Sequence, residues 1–204
     1  YVWDNNSGNS DWSDATNWDQ NVGAPDTSGE IAVFRGVDGV VDLGGATITA
    51  GEVRFEHSGT LTLTNGTLIA NTITMTGSGT ADLFVEIDTP TTFNLTGGQL
   101  NLHNENNDLT GTVNASNGAT FGAVLNATGG AAGNLNVNLN GGAFEFLAGT
   151  VPGTLNGTIT ALSDSAINVA SGAQDGTISN LVTAAGITLG SSSLLTVDTW
   201  FVAD

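Results

Sequence analysis

The chain has 204 residues, with twenty acidic residues against two arginines, no lysine and a formal charge of -18. A field of that sign excludes nucleic acid and anionic membrane as partners, since both are held by clusters of Lys and Arg. The absence of cysteine excludes disulfides and thiolate metal sites, and no apolar run approaches the roughly 20 residues that span a bilayer.

What remains is a globular chain. Hydrophobic residues make up 39%, too many and too regularly placed for disorder, and enough for one sizeable core if the fold is all β. The acidity suits divalent cations, basic partners or plain solubility in a salty medium. The chain opens on Tyr1 rather than methionine, as expected of a processed or excised piece of a longer polypeptide.

Residues 1–35 read as a cap. Trp3, Trp12 and Trp18 stand in a polar, Asn-rich setting that leads through Gly23-Ala24-Pro25-Asp26 to the apolar strand Ile31-Ala32-Val33-Phe34. Each indole can bury roughly 150–250 Å², and the open end of a β stack is the natural thing for it to cover. Within this stretch Asp4-Asn5-Asn6-Ser7-Gly8-Asn9-Ser10-Asp11 sets oxygen-bearing side chains at alternate positions, the spacing by which a loop wraps a hard cation. Asp4, Asn6 and Asp11 are therefore candidate calcium ligands. The stretch lacks the sixth-position glycine and closing glutamate of an EF-hand loop, and a solvated run of Asx turns is the simpler reading.

Residues 36–204 read as rungs. Short apolar-polar-apolar stretches follow one another: Val40–Leu43, Thr47–Thr49, Glu52–Phe55, Leu61–Leu63, Leu68-Ile69, Ile73–Met75, Leu83–Ile87, Phe93–Leu95, Leu100–Leu102, Thr112–Asn114 and Val124-Leu125. Leu135–Leu139, Phe144–Phe146, Ile159-Thr160, Ile167–Val169, Ile187–Leu189 and Leu195–Val197 complete the series. This is the period-two pattern of strands with one face buried. Threonine and asparagine fill the middle positions; asparagine is a poor strand former, so its repeated use points to amide ladders between stacked rungs. Asn-Gly and Gly-Gly pairs at 44–45, 65–66, 97–98, 117–118, 129–130, 141–142 and 156–157 supply the turns. Only Leu181–Ala185 and Ala161–Asp164 suit even one helical turn. The spacing fits a three-faced solenoid of about seven rungs or a β-sandwich.

Trp3, the run Trp12-Ser13-Asp14-Ala15-Thr16-Asn17-Trp18, Gly23-Ala24-Pro25 and Ala32-Val33-Phe34 resemble the segment that opens many bacterial surface proteins with autotransporter-type β-strand repeats. The resemblance covers the first third of the chain. It implies a right-handed parallel β-helix, exported to the cell surface or shed from it, and implies no catalytic residue. With the short, numerous strands it favours the β-helix over the β-sandwich.

Three functions are weighed. A polysaccharide lyase needs a strong base and a partner for the uronate, but there is no lysine, and Arg35 and Arg54 stand beside Glu52 and Glu56, where surface ion pairs are expected. A hydrolase needs two carboxyl groups roughly 5–10 Å apart; Glu52/Glu56 and Asp82/Glu86/Asp88 are the candidates, and Asp82 with Glu86 is the pair expected to share a face. His57 and His103 are expected to be exposed turn residues. The Asn104–Asp108 stretch is expected to protrude as a loop, and Asn5, Asn65, Asn94, Asn114, Asn126 and Asn156 begin glycosylation sequons.

A carbohydrate-binding module would need aromatic platforms, yet aromatics are only 6% and the tryptophans cluster at the ends. The favoured reading is a non-enzymatic structural or adhesive module of an extracellular fibre, layer or stalk. Its partners would be other copies, the continuation of the same chain, or surface polysaccharide, with calcium the one candidate cofactor. Trp200 and Phe201, in a C-terminal strand with no visible cover, are the candidate assembly residues.

Overall fold

The computed structural model describes residues 1–19, 23–36, 38–88, 91–104, 109–125, 134–191 and 194–203. It is an all-β parallel solenoid of about seven turns. Strand-to-strand pairings are parallel throughout, and antiparallel contact among the described residues is limited to the single bridges Trp3–Trp18 and Ser116–Gly141. That pattern disposes of the sandwich, whose sheets are antiparallel.

Two sheets run the length of the coil. The broad one stacks Val2–Trp3, Ile31–Phe34, Thr47–Phe55, Thr67–Met75, Thr91–Leu95, Thr110–Ser116, Asn134–Asn140, Gly153–Ser163, Gly176–Thr183 and Leu195–Val202, with Glu86–Ile87 beside Thr67–Met75. The narrow one stacks Gly39–Asp42, Thr60–Thr64, Thr80–Leu83, Gln99–Leu102, Thr120–Ala123, Ala143–Phe146, Ser165–Val169 and Ile187–Ser191. One strand of each makes a turn of the coil. Register advances by a nearly constant step: Arg54 pairs with Thr74, Thr74 with Asn94, and Asn94 with Asn114, twenty residues each time.

The alternation of the sequence places the core. Val53, Ile73, Phe93, Val113, Val137, Ile159 and Leu181 form one inward row of the broad sheet, and Leu61, Ala81, Leu100, Phe121, Phe144 and Ile167 one inward row of the narrow sheet. All are fully buried. Side-chain size is balanced within each turn, as close packing requires. Phe121 packs across both sheets, its ring 5.0 Å from Phe93 of the broad sheet and 6.1 Å from Phe144 of the narrow one.

Several expectations are corrected. Thr47–Thr49 and Glu52–Phe55 are one strand, as are Leu68-Ile69 and Ile73–Met75. The in-out alternation slips at Gly51 and Glu52, two successive residues that are not buried, and likewise at Asn71 and Thr72 of the next coil, so these strands turn a corner there. Leu83–Ile87 is two strands in different sheets, Thr80–Leu83 and Glu86–Ile87. Val124 and Leu125 lie past the end of strand Thr120–Ala123. The two segments suited to a helical turn lie at strand ends, Ala161 inside Gly153–Ser163 and Leu181 inside Gly176–Thr183.

Asn65-Gly66 and Asn117-Gly118 do make turns, with positive φ at both residues of each pair. Gly157 serves differently: it lies within a strand, where a Cβ would run into the Leu135 carbonyl of the preceding coil. The pair at 129–130 lies outside the described residues.

Candidate functional site

The cap is built from its indoles outward. Trp3, Trp12 and Trp18 are buried. Trp18 meets Trp12 edge-on at 4.9 Å and Trp3 at 5.1 Å, and all three rings lie 5.8 to 6.0 Å from Phe34. Phe34 stacks in turn on Phe55 of the next coil at 5.5 Å. Two of the buried indoles have a polar partner, as such rings usually do: Trp12 Nε1 donates to the Pro25 carbonyl (3.1 Å) and Trp18 Nε1 to the Trp12 carbonyl (2.8 Å). The N-terminal strand pairs in register with Ile31–Phe34, Trp3 opposite Phe34.

The loop between Trp3 and Trp12 is tied by a residue that the sequence reading passes over. Asn17 is fully buried. Its Oδ1 accepts from the Ser7 amide and hydroxyl, and its Nδ2 donates to Asn9 Oδ1 and the Asp11 carbonyl. Asp4 and Asp11 turn onto donors two residues ahead: Asp4 accepts from the Asn6 amide (3.1 Å) and Asn6 Nδ2 (2.8 Å), and Asp11 Oδ1 accepts from the Ser13 amide and hydroxyl, both at 2.8 Å. These are Asx turns. Among the described residues no three carboxylates or imidazoles come together as a metal-holding group.

The candidate catalytic carboxylates are dispersed. Glu52 takes Arg54 at 2.7 Å and Thr74 Oγ1 at 2.7 Å, and Glu56 takes Arg35 at 2.7 Å, so both arginines make the expected ion pairs. The Arg54 bond is the main reason that the Glu52 carboxyl lies below its usual range. Asp82 stands on the narrow sheet and Glu86 on the broad one, so they share no face.

Asp82 instead sits in a polar cluster on the outside of the narrow sheet. Its Oδ1 accepts from Asn101 Nδ2 and lies 2.9 Å from His103 Nε2. Gln99 Nε2 donates to Asn101 Oδ1 (2.9 Å) and reaches Glu145 at 3.5 Å. Asp82 and Glu145 are three coils apart in register, about 14 Å between their backbones at the usual strand spacing, and Gln99 and Asn101 stand between their side chains.

The histidines also depart from expectation. His57 is buried, its Nε2 donating to the Thr80 carbonyl (3.0 Å) while Nδ1 has no hydrogen-bond partner. His103 is half-buried and stacks on Phe84 with ring centroids 4.3 Å apart. Of the Asn104–Asp108 stretch, residues 105–108 lie outside the described residues, as does Asn126.

The most regular surface is the outer wall of the broad sheet. Outward positions of four successive coils carry Thr72 and Thr74, Thr92 and Asn94, Thr112 and Asn114, then Asn136 and Asn138, paired without a shift in register. The expected amide ladder is present: Asn114 Nδ2 donates to Asn94 Oδ1 and Asn138 Nδ2 to Asn114 Oδ1, each at 2.9 Å. Ser116 and Asn140 follow two positions further on in the same strands, and Thr76 and Thr96 stand just past the ends of theirs. No charged residue falls within 72–76, 92–96, 112–116 or 136–140, although the chain carries twenty acidic residues.

At the last coil, Trp200 pairs with Leu181 and so lies on an inward row, yet it is 50% exposed. Its Nε1 donates to Thr183 Oγ1 of the preceding coil (3.1 Å). Phe201, on the outward row, is 58% exposed.

No protein-family model matches the chain, and neither a curated protein nor a solved structure matches it significantly. The functional reading therefore rests on the geometry and on the resemblance in residues 1–35.

Proposed function

We propose that the chain is a non-enzymatic structural and adhesive module of a bacterial extracellular rod, at the cell surface or secreted. The observation that carries this reading is the uncharged hydroxyl and amide wall at Thr72–Asn140, held in register by the ladder from Asn94 to Asn138. Each outward group forms only weak contacts, but a rigid array presents them all in one geometry, so that binding energy accumulates with little ordering cost. The resemblance of the Trp-rich opening to bacterial surface proteins and the acidic, cysteine-free composition support the location.

The wall sets the expected partner. An uncharged surface with a repeating pattern of hydrogen-bonding groups suits it, whereas a charged partner gains nothing there. Retention of the chain on hydroxyl-terminated and carboxylate-terminated monolayers tests this. The expected outcome is retention on the hydroxyl surface that persists in high salt and is lost on Thr112→Glu. Equal retention of Thr112→Glu, or retention that salt abolishes, would assign the adhesion to the acidic faces instead.

A further inference from the structure

The wall has two repeat distances, and both come from backbone geometry. Successive coils are about 4.8 Å apart, and outward neighbours along one strand are two residues, or about 6.7 Å, apart. Register without a shift from Thr72–Met75 through Thr92–Leu95 and Thr112–Ala115 to Asn136–Leu139 keeps the lattice in phase. The first irregularity comes between Leu139 and Asn140 where they meet the next coil.

The groups on this lattice are held in place. Threonine is stiff at χ1 because it is branched at Cβ, and the Asn94, Asn114 and Asn138 amides are bonded head to tail. Each inward partner (Ile73, Phe93, Val113, Val137) is fully buried, which anchors the strand beneath.

An uncharged, in-register, two-dimensional array of hydroxyls, methyls and amides suits a partner that is itself a lattice of hydrogen-bonding groups. The oxygen repeats on a prism face of hexagonal ice are close to both distances of the wall. Charge would bind water into hydration shells that such a lattice cannot share, and these four strands carry none, the nearest being Glu52 and Arg54, paired with Thr72 and Thr74 at the edge of the wall. Crystalline glycans are commonly gripped by coplanar aromatic rings, and none of the outward positions of the wall itself is aromatic.

We propose that the Thr72–Asn140 wall binds ice, its threonine and asparagine rows ordering water into the first layer of the crystal. This proposal rests on the adhesive reading of the same wall and names its partner. The three coil-to-coil steps between Thr72 and Asn136 each extend one continuous lattice match, so that a single misplaced bulky group should break it.

The test grows an ice hemisphere in a solution of the fluorescently labelled chain and measures freezing hysteresis in parallel. Thr112→Tyr puts a bulky group at the centre of the wall; tyrosine is a good strand former, and folding is checked by circular dichroism. Thr62→Tyr makes the same change on the outside of the narrow sheet. The expected result is that the parent and Thr62→Tyr enter the ice and depress freezing below melting, whereas folded Thr112→Tyr is excluded like an inert protein. Entry of Thr112→Tyr, or exclusion of Thr62→Tyr, overturns the assignment to this wall. Exclusion of the parent overturns ice as the partner whether or not either variant folds. If the parent is excluded from ice yet held on hydroxyl monolayers, the adhesive reading stands without ice; if it is neither, both fall.

Discussion

Glu30 gathers the cap at a single carboxylate. Its Oε1 accepts from the Tyr1 hydroxyl at 2.6 Å, and its Oε2 accepts from the Asp26 and Thr27 amides at 2.9 and 3.0 Å. The Tyr1 bond leads in holding the Glu30 carboxyl down to about 2 from an ordinary 4.5. A depressed carboxylate contributes stability that is complete above the unfolded value and is lost as pH falls through the folded one. The cap should therefore loosen between pH 4.5 and about 2, the window that the shift itself sets. Glu30→Gln should remove that component, so that its melting temperature falls less than the parent's across the window, read by tryptophan fluorescence. Superimposable pH profiles would mean that Glu30 does not tie the cap. His57 teaches a related point. It continues the inward alternation Val53, Phe55, His57, a signal present in the sequence but outweighed there by the polarity of the side chain. Asn17 left no such trace, because its four partners at positions 7 to 11 meet it only after the cap closes.

The broad strands show how a poor strand former becomes useful. An isolated asparagine weakens a strand, but stacked in register each amide donates to the one before it and accepts from the one after. Asn114 is the middle member and takes part in both ladder bonds. Asn114→Ala removes both at a half-buried site, where a net hydrogen bond contributes about 0.5–1.5 kcal/mol, so a loss of about 1–3 kcal/mol is expected. Asn94→Ala breaks one of these two bonds and should lose about half as much. Urea unfolding midpoints of the two variants check this; equal losses would show that the ladder carries no stability of its own. The ladder itself was legible in the sequence, because Thr-x-Asn recurs at 92–94 and 112–114 and Asn-x-Asn at 136–138. The corner at Gly51 was not, since a bend inside a strand leaves the same apolar spacing on both sides.

The two ends of the coil are finished differently. The three indoles and Phe34 close the first turn, while Trp200, Phe201, Val202, Leu189 and Leu194 are exposed on the last strands of the two sheets. An edge strand presents backbone donors and acceptors to any partner strand, and Trp200 is already positioned on a core row above Leu181. Docking of a second copy there would be heterologous and could propagate. The charge of -18 opposes it, through a field that reaches about 30 Å at 0.01 M salt and about 3 Å at 1 M. Sedimentation velocity should accordingly show assemblies that grow with protein concentration, and more so in 1 M salt. Paired Trp200→Asp and Phe201→Asp substitutions should keep the chain monomeric at every salt. A parent that stays monomeric throughout would reassign Trp200 to closing its own coil through Thr183.

Period-two alternation, punctuated by glycine, was enough to say that these strands have one buried face, and three tryptophans in a polar opening were enough to expect their burial. Each of these signals is carried by residues a few positions apart. Which strand lies beside which is decided by parallel pairing across nineteen or more residues, and local pattern does not encode that distance. Asn114 meets Asn138 across a step of twenty-four residues, whereas Asn94 meets Asn114 across twenty; the extra residues are absorbed between strands without disturbing the row. The same non-local pairing brought Asp82, Asn101 and His103 together and separated Asp82 from Glu86. Sequence alternation determined which side chains face outward; only the stacking of coils decided that the threonines and asparagines of four strands stand in unshifted rows.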